Sequence, residues 1–277
     1  MSKIAYDPTK DKFAGWIRRS RFLRTLFFKI LDLFFLRSWY VRSALQRLYK
    51  QKFSTLKTCE ILDAGSGFGQ YDRFMLQKFR NARIHALDIK EDYLDDCRYY
   101  FQNEVKAGRI RFENVDLVAD ELLAQTFDLA LCVDVLEHIE EDVRVMTSIR
   151  KALKPGGFFI MHSPSHYSEE DAGDDEFFVD EHARAGYSKS ELAGKLEKAG
   201  LEPVSLHYSY GKWGHRAWVI LIKVPMLWFT RFGMYTLIWL PFYYVVTLLP
   251  GVIMMWLDRR QNNGRGTGIL GIARRPI

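Results

Sequence analysis

Two patterns of apolar and polar positions divide the chain. From 58 to 163, short apolar runs alternate with amphipathic ones. TCEILDAG (58–65), ARIHALD (82–88), RIRFENVD (109–116), FDLALCVDV (127–135) and FFIMHS (158–163) read as strands buried in a sheet. Residues 70–80, roughly 91–107 and roughly 139–153 carry helical spacing, and KPGG (154–157) supplies the stop for the last of these. A short helix also fits between the third and fourth strands. Strands alternating with helices imply a parallel sheet covered on both faces. A helix over 188–200 with Gly200 as C-cap then precedes a sixth strand at 201–211, and 266–276 reads as a seventh.

The second pattern lies at the two ends. MYTLIWLPFYYVVTLLPGVIMMWL (234–257) is 24 residues without a charge. As a helix it is about 36 Å long, against a bilayer core of about 30 Å. The shorter apolar limb AWVILIKVPMLWF (217–229) contains Lys223 and Pro225, and is about 20 Å long as a helix, short for a span. Pro241 and Pro250-Gly251 divide the longer limb into pieces suited to lying flat or re-entering. At the other end, residues 16–50 place Arg and Lys about one helical turn apart among Phe, Leu and Trp. That reads as interfacial helices on anionic lipid, which could also pack as a lid, with 38–52 best placed for that role. Charges interrupt any signal-peptide core.

Composition sharpens this division. The formal charge is +6 overall, yet residues 1–57 hold 14 Lys/Arg against 3 Asp/Glu. The basic character therefore belongs to the N-terminal arm. Its density of Leu and Phe points to lipid and weighs against nucleic acid. All seven tryptophans lie outside 58–211. Cys59, Cys97 and Cys132 are isolated in sequence, which argues against a zinc site or disulfide framework and fits a reducing compartment.

The first strand carries the candidate chemistry. Gly65, Gly67 and Gly69 in ILDAGSGFGQ follow it directly and open a helix, where glycine permits positive φ and close ligand approach. Asp88 ends the second strand, where a carboxylate can accept two ribose hydroxyls. The spacing is GxGxG, which departs from the GxGxxG dinucleotide fingerprint.

With LDAGSGFG at 62–69, Asp88, Asp116 after the third strand, DVLEHI at 134–139 and LKPGG at 153–157, the sequence resembles the class I S-adenosylmethionine (SAM)-dependent methyltransferases. The branch it is most similar to includes the quinone-biosynthesis and related small-molecule and lipid enzymes. The resemblance covers about 58–211 plus the final strand. It implies an α/β fold: a Rossmann-like seven-stranded sheet with helices on both faces and an antiparallel last strand. It also implies SAM as cofactor. Asp63 and the Gly65–Gly69 turn would hold the amino-acid end, Asp88 the ribose, with Ile89 against the adenine. Asp116 would bond the adenine amino group with Leu117 beside it, and Asp134 would line the floor. His138 and His182, the latter in DEHARAGYS (180–188), are candidate bases, and Tyr187 is a weaker candidate, a lid residue.

In the resembled family, a short loop usually joins the last two strands. Here roughly 50 residues intervene, so the apolar stretch is an insertion whose ends return to one sheet. It must cross a membrane an even number of times, zero included, and a monotopic or re-entrant anchor is the preferred expectation. The acidic run at 163–182 lacks EF-hand spacing and reads as a solvated lid, so no metal is expected.

The domain reading is basic N-terminal helices (1–57), a SAM-binding core (58–211), a hydrophobic insertion (212–262) and a final core strand (263–277). The functional expectation is a peripheral or monotopic methyltransferase at the cytoplasmic face of a membrane. Its partners would be an anionic lipid surface and a lipid or other hydrophobic acceptor, methylated at oxygen. Two alternatives stay open: a methyltransferase of a soluble small molecule that uses its hydrophobic ends to dimerise, and a non-catalytic SAM-binding membrane adaptor.

Overall fold

The computed structural model describes residues 20–168, 183 and 186–277. Expectations for 1–19 and for 169–182, including His182 and most of the acidic run, lie outside the described residues. The apolar runs form one sheet from β1 (Cys59–Ala64), β2 (Ala82–Asp88), β3 (Ile110–Asn114), β4 (Phe127–Val133), β5 (Leu153–Pro164), β6 (Glu202–Ser209) and β7 (Gly268–Arg274). Their order is β3-β2-β1-β4-β5-β7-β6. The first five are parallel, and β7 runs antiparallel between β5 and β6. Strand order reverses between β1 and β4, so the sheet's binding crevice lies at their carboxyl ends.

Helices cover both faces. They are α1 (Arg21–Phe34), α2 (Leu36–Leu48), α3 (Gln70–Lys78), α4 (Glu91–Tyr100), α5 (Gln102–Lys106), α6 (Asp142–Ala152) and α7 (Lys189–Lys198). Successive residues of β1 serve opposite layers, as the period of 2 requires. Ile61 belongs to the core cluster that holds Val41 and Leu45 of α2 and Met75 of α3, whereas Leu62 belongs to the one that holds Ile149 of α6 and Leu196 of α7.

Two local expectations need correction. The KPGG motif begins β5, and α6 ends one residue before Leu153. The register between β4 and β5 slips there, and a side chain on Gly157 would sit 2.8 Å from the Lys154 carbonyl. Glycine is needed for the bulge and is not serving as a helix cap. The segment between β3 and β4 forms turns, with Gln125 at positive φ, in place of a helix.

The insertion is a helical hairpin. Its outgoing limb runs through α8 (Lys212–Trp218), a π turn (Val219–Lys223) and α9 (Val224–Phe232). Gly233 turns the chain at φ +55, and α10 (Thr236–Arg260) returns. The outgoing limb is therefore longer than 217–229, at about 30 Å of helix. Pro225 does not end it. Its missing N–H frees carbonyls about one turn back, and the returning limb supplies donors for them. The hydroxyl of Tyr243 donates to Ile220 O at 2.7 Å and that of Tyr244 to Leu221 O at 2.8 Å. Pro241 and Pro250 likewise sit inside one continuous 25-residue helix and do not divide it.

At the hairpin's base, Asp258 is fully buried. It accepts from the Gly214 backbone N–H at 2.9 Å, from Tyr40 of α2 at 2.9 Å and from Asn263 at 3.2 Å. The insertion is thereby fastened to the sheet's edge and to α2.

Candidate active site

The turn after β1 is shaped by its glycines, all at positive φ: +85° at Gly65, +53° at Gly67 and +75° at Gly69. A side chain on Gly65 would overlap Val135, just past β4, and one on Gly69 would meet the Phe101 ring at 2.8 Å. On Gly67 it would meet nothing within 4 Å, so this residue faces the open crevice. Gly65 and Ser66 donate their N–H groups to Leu87 O at 2.8 Å each. Asp88 completes the fastening: Oδ2 accepts from Gly67 N–H at 2.8 Å and Oδ1 from Lys90 N–H at 2.9 Å. The carboxylate therefore holds a fixed orientation at the end of β2, with lone pairs to spare.

Behind the turn lie two buried carboxyl groups. Asp63 is 2% exposed and Asp72, on the first turn of α3, is 0% exposed. Burial pushes the Asp63 carboxyl up to about 7, with Asp72 and Asp88 adjusting that shift. Asp72 is raised well above the usual carboxylate range by burial and by Asp63. Burial of two neighbouring carboxyls in low dielectric disfavours ionising both. Asp63 Oδ2 and the Ser66 hydroxyl have no hydrogen-bond partner among the described residues.

Across the crevice, Asp134 follows β4 at φ +52, a left-handed conformation that Asp tolerates better than most side chains. Its Oδ2 pairs with Arg37 Nη1 on α2. Its Oδ1 lies 3.0 Å from His162 Nδ1, and His162 Nε2 lies 2.9 Å from Ser209 Oγ. Burial, reinforced by Arg37, lowers the His162 pKa to about 3. The ring is therefore neutral. Its Nδ1–H donates to the carboxylate, and Nε2 accepts the Ser209 hydroxyl proton. Ser209 is fully buried, so this relay orients Asp134 and does not expose a nucleophile.

The predicted residues fall into three groups. Gly65, Gly67, Gly69, Asp63 and Asp88 come together at the ends of β1 and β2, with Ile89 alongside at 61% exposure. Asp134 and His138 lie at the exit of β4, with His138 exposed in a 3-10 turn (Leu136–His138). Asp116 Oδ1 accepts from Val118 N–H at 2.9 Å, which caps a turn after β3, and Leu117 is buried in the core.

Tyr187 requires a correction, because it is no lid residue. Its ring is fully buried, and its hydroxyl donates to Asp142 Oδ2 at 2.8 Å. Among the described residues, no group of three or more His, Cys, Asp and Glu is arranged to hold a metal.

Three participants escaped the sequence reading. Arg37 looked like one of many basic residues in the arm. Asp72 looked like an ordinary helix-start acid. His162 carried a usable signal, as a histidine near the carboxyl end of the apolar strand β5.

Comparison with known proteins places this geometry. Residues 62–159 match the family model described as a methyltransferase domain. A ubiquinone biosynthesis O-methyltransferase from Coxiella burnetii is 24% identical over 109 residues, covering 39% of this chain and 45% of that protein. A sarcosine dimethylglycine methyltransferase candidate from Galdieria sulphuraria superposes with a TM-score of 0.58 at 17% identity, covering 86% of this chain and 85% of that one. An S-adenosylmethionine-dependent methyltransferase from Mesorhizobium loti gives 0.52 at 19% identity, covering 84% and 96%. The aligned region spans between 24% and 45% of the first three curated relatives' lengths. Residues 62–159 thus match a methyltransferase domain, and the seven-stranded sheet that carries them has the fold of S-adenosylmethionine-dependent methyltransferases.

Proposed function

We propose that this protein methylates a hydrophobic, membrane-resident acceptor, at oxygen, from the cytoplasmic face of a membrane. The observation that carries this reading is the apolar exterior of the insertion. On α10, Ile238, Phe242, Val245, Leu249, Ile253 and Trp256 are 42–82% exposed and recur at helical spacing along one face. Embedding each such side chain contributes about 1.5–3 kcal/mol, enough in sum to hold a protein at a bilayer. The charges on the hairpin favour a shallow pose. Lys223 lies midway along the outgoing limb and Arg231 next to its tip. A perpendicular hairpin would carry one of them into hydrocarbon, at about 2.5–3.5 kcal/mol by insertion scales. Lying along the interface, both can reach the headgroups. The O-methyltransferase of ubiquinone biosynthesis among the relatives adds weight to oxygen and to a hydrophobic acceptor.

The residues present fit the cofactor. Gly67 opens on free space, while Asp63 Oδ2 and the Ser66 hydroxyl offer buried polar atoms without partners. On this reading Asp63 and the Gly65–Gly69 turn hold the cofactor's amino-acid end, and Asp88 takes its ribose hydroxyls. Ile89 and Leu117 border the adenine, Asp116 meets its amino group, and Asp134 forms the floor. When bound, S-adenosylmethionine supplies an electrophilic methyl group. The chain's contribution is alignment, and a base that removes the acceptor's proton. On this reading His138, exposed in the turn after β4, serves as that base. His182 has the matching role on the sequence reading alone.

Flotation tests the membrane part. Full-length protein should rise with vesicles containing phosphatidylglycerol, rise less with neutral vesicles, and bind more weakly as salt increases. Folded protein that stays at the bottom of the gradient, while forming dimers through the apolar faces, would favour the soluble-substrate alternative.

A further inference from the structure

Helix α1 has two faces with separate jobs. Inward, Arg24 is 5% exposed and grips the cofactor turn: Nη2 donates to Phe68 O at 2.9 Å and Nη1 to Asp96 O at 2.5 Å. Its guanidinium lies over the Tyr100 ring at 5.2 Å. Phe27 meets Phe68 edge-on at 6.2 Å, and Thr25 bonds Tyr100 at 2.8 Å. Phe68 is the residue between Gly67 and Gly69, so α1 holds the turn by its middle. Outward, Phe22, Leu26, Ile30 and Leu33 are 37–74% exposed at spacings of four, four and three. Arg21 and Lys29 are exposed beside that stripe. The one acid of α1, Asp32, turns inward to Arg42 and Gln70. Among the residues of α1, the outer face is thus apolar and cationic, which is complementary to an anionic bilayer.

Two further features link these faces to the rest of the molecule. α1 and α2 are separated by a single extended residue, Phe35, at φ −98 and ψ 110. Phe34, at the end of α1, packs edge-on against Tyr244 of the insertion at 5.0 Å, so stripe and hairpin adjoin.

We propose that α1 couples bilayer docking to cofactor binding at the turn it grips. The bilayer restrains α1 in its docked position, the docked helix holds Phe68 and its glycines in place, and the cofactor binds the turn so held. This rests on the membrane and methyltransferase readings above. Because coupling free energy is reciprocal, the cofactor must tighten membrane binding by the same factor.

The test measures the dissociation constant of S-adenosylhomocysteine for the full chain, alone and with phosphatidylglycerol-containing or neutral vesicles. The affinity should rise about fivefold or more with anionic vesicles, within the usual range for coupled sites, and not with neutral ones. The double substitution Leu26→Ser and Ile30→Ser should keep the affinity in solution and lose the vesicle-induced gain. Arg24→Met should still float through the hairpin and show no gain. If that variant misfolds, the outer-face double variant decides alone. Protein that floats but binds equally well with and without vesicles overturns the coupling and leaves the membrane reading standing. Failure to float overturns both. Failure to bind S-adenosylhomocysteine at all overturns the cofactor assignment. A gain that follows protein concentration, and not vesicles, assigns the stripe to a second copy of the chain and overturns the proposal.

Discussion

Replacing Asp88 with alanine should weaken cofactor binding at least 100-fold, which corresponds to about 2.7 kcal/mol. The size follows from the two tasks of this carboxylate. It holds Gly67 N–H at 2.8 Å and Lys90 N–H at 2.9 Å, fixing the turn to the end of β2. On the proposed assignment it also accepts two ribose hydroxyls. Hydrogen bonds to an ionised acceptor are roughly twice as strong as neutral ones. Asp88→Asn keeps one acceptor oxygen and should lose less, about tenfold, near the cost of one charged hydrogen bond. Titration calorimetry with S-adenosylhomocysteine measures both. Alanine-variant affinity within threefold of the parent would remove Asp88 from the cofactor's contacts.

The second large effect concerns stability. Asp258→Ala should cost about 2–4 kcal/mol, since it leaves one buried donor unsatisfied and weakens the bonding of two more. The substitution leaves the buried Gly214 N–H without its acceptor and removes one acceptor each from Tyr40 Oη and Asn263 Nδ2, which keep the Asp258 and Tyr208 carbonyls. Those three groups come from the outgoing limb, from α2 and from the segment entering β7. Their loss should therefore loosen the hairpin at its root. Thermal unfolding in detergent should shift down by about 10 °C, given 2–4 °C per kcal/mol for domains of this size. Asp258→Asn, which retains an acceptor oxygen, should lie between. A melting temperature unchanged by the alanine variant would mean that the hairpin is held by apolar packing alone.

Legibility in the sequence followed the physics of each element. The parallel strands were readable because a doubly covered sheet demands apolar runs, and their edges fell within about two residues at β1, β2 and β4. The glycine turn was readable because positive φ leaves so few residue choices. The hairpin was harder. Pro225, Pro241 and Pro250 look like breaks when each helix is considered alone. The continuity of the limbs depends on partners in the other limb, such as Tyr243 and Tyr244, and no local periodicity encodes that pairing. The same holds for the relay from Arg37 through Asp134 and His162 to Ser209, whose members are far apart in sequence. Tyr187 erred the other way. A tyrosine beside a polar segment resembles a lid residue, and only the packing of Asp142 and Lys195 around it shows that it is core.

These observations share one logic. The crevice opens at the carboxyl ends of β1 and β4, while α1 and the hairpin present apolar exteriors that adjoin through Phe34 and Tyr244. On the proposed function, the cofactor arrives from water and the acceptor from the bilayer. The most direct measurement incubates the purified protein with S-adenosylmethionine labelled in the methyl group and with solubilised membranes, then partitions the products between organic solvent and water. The account predicts label in the organic phase that requires the membranes and disappears in Asp88→Ala. Label confined to water-soluble products, or none transferred by protein that binds the cofactor, would contradict it.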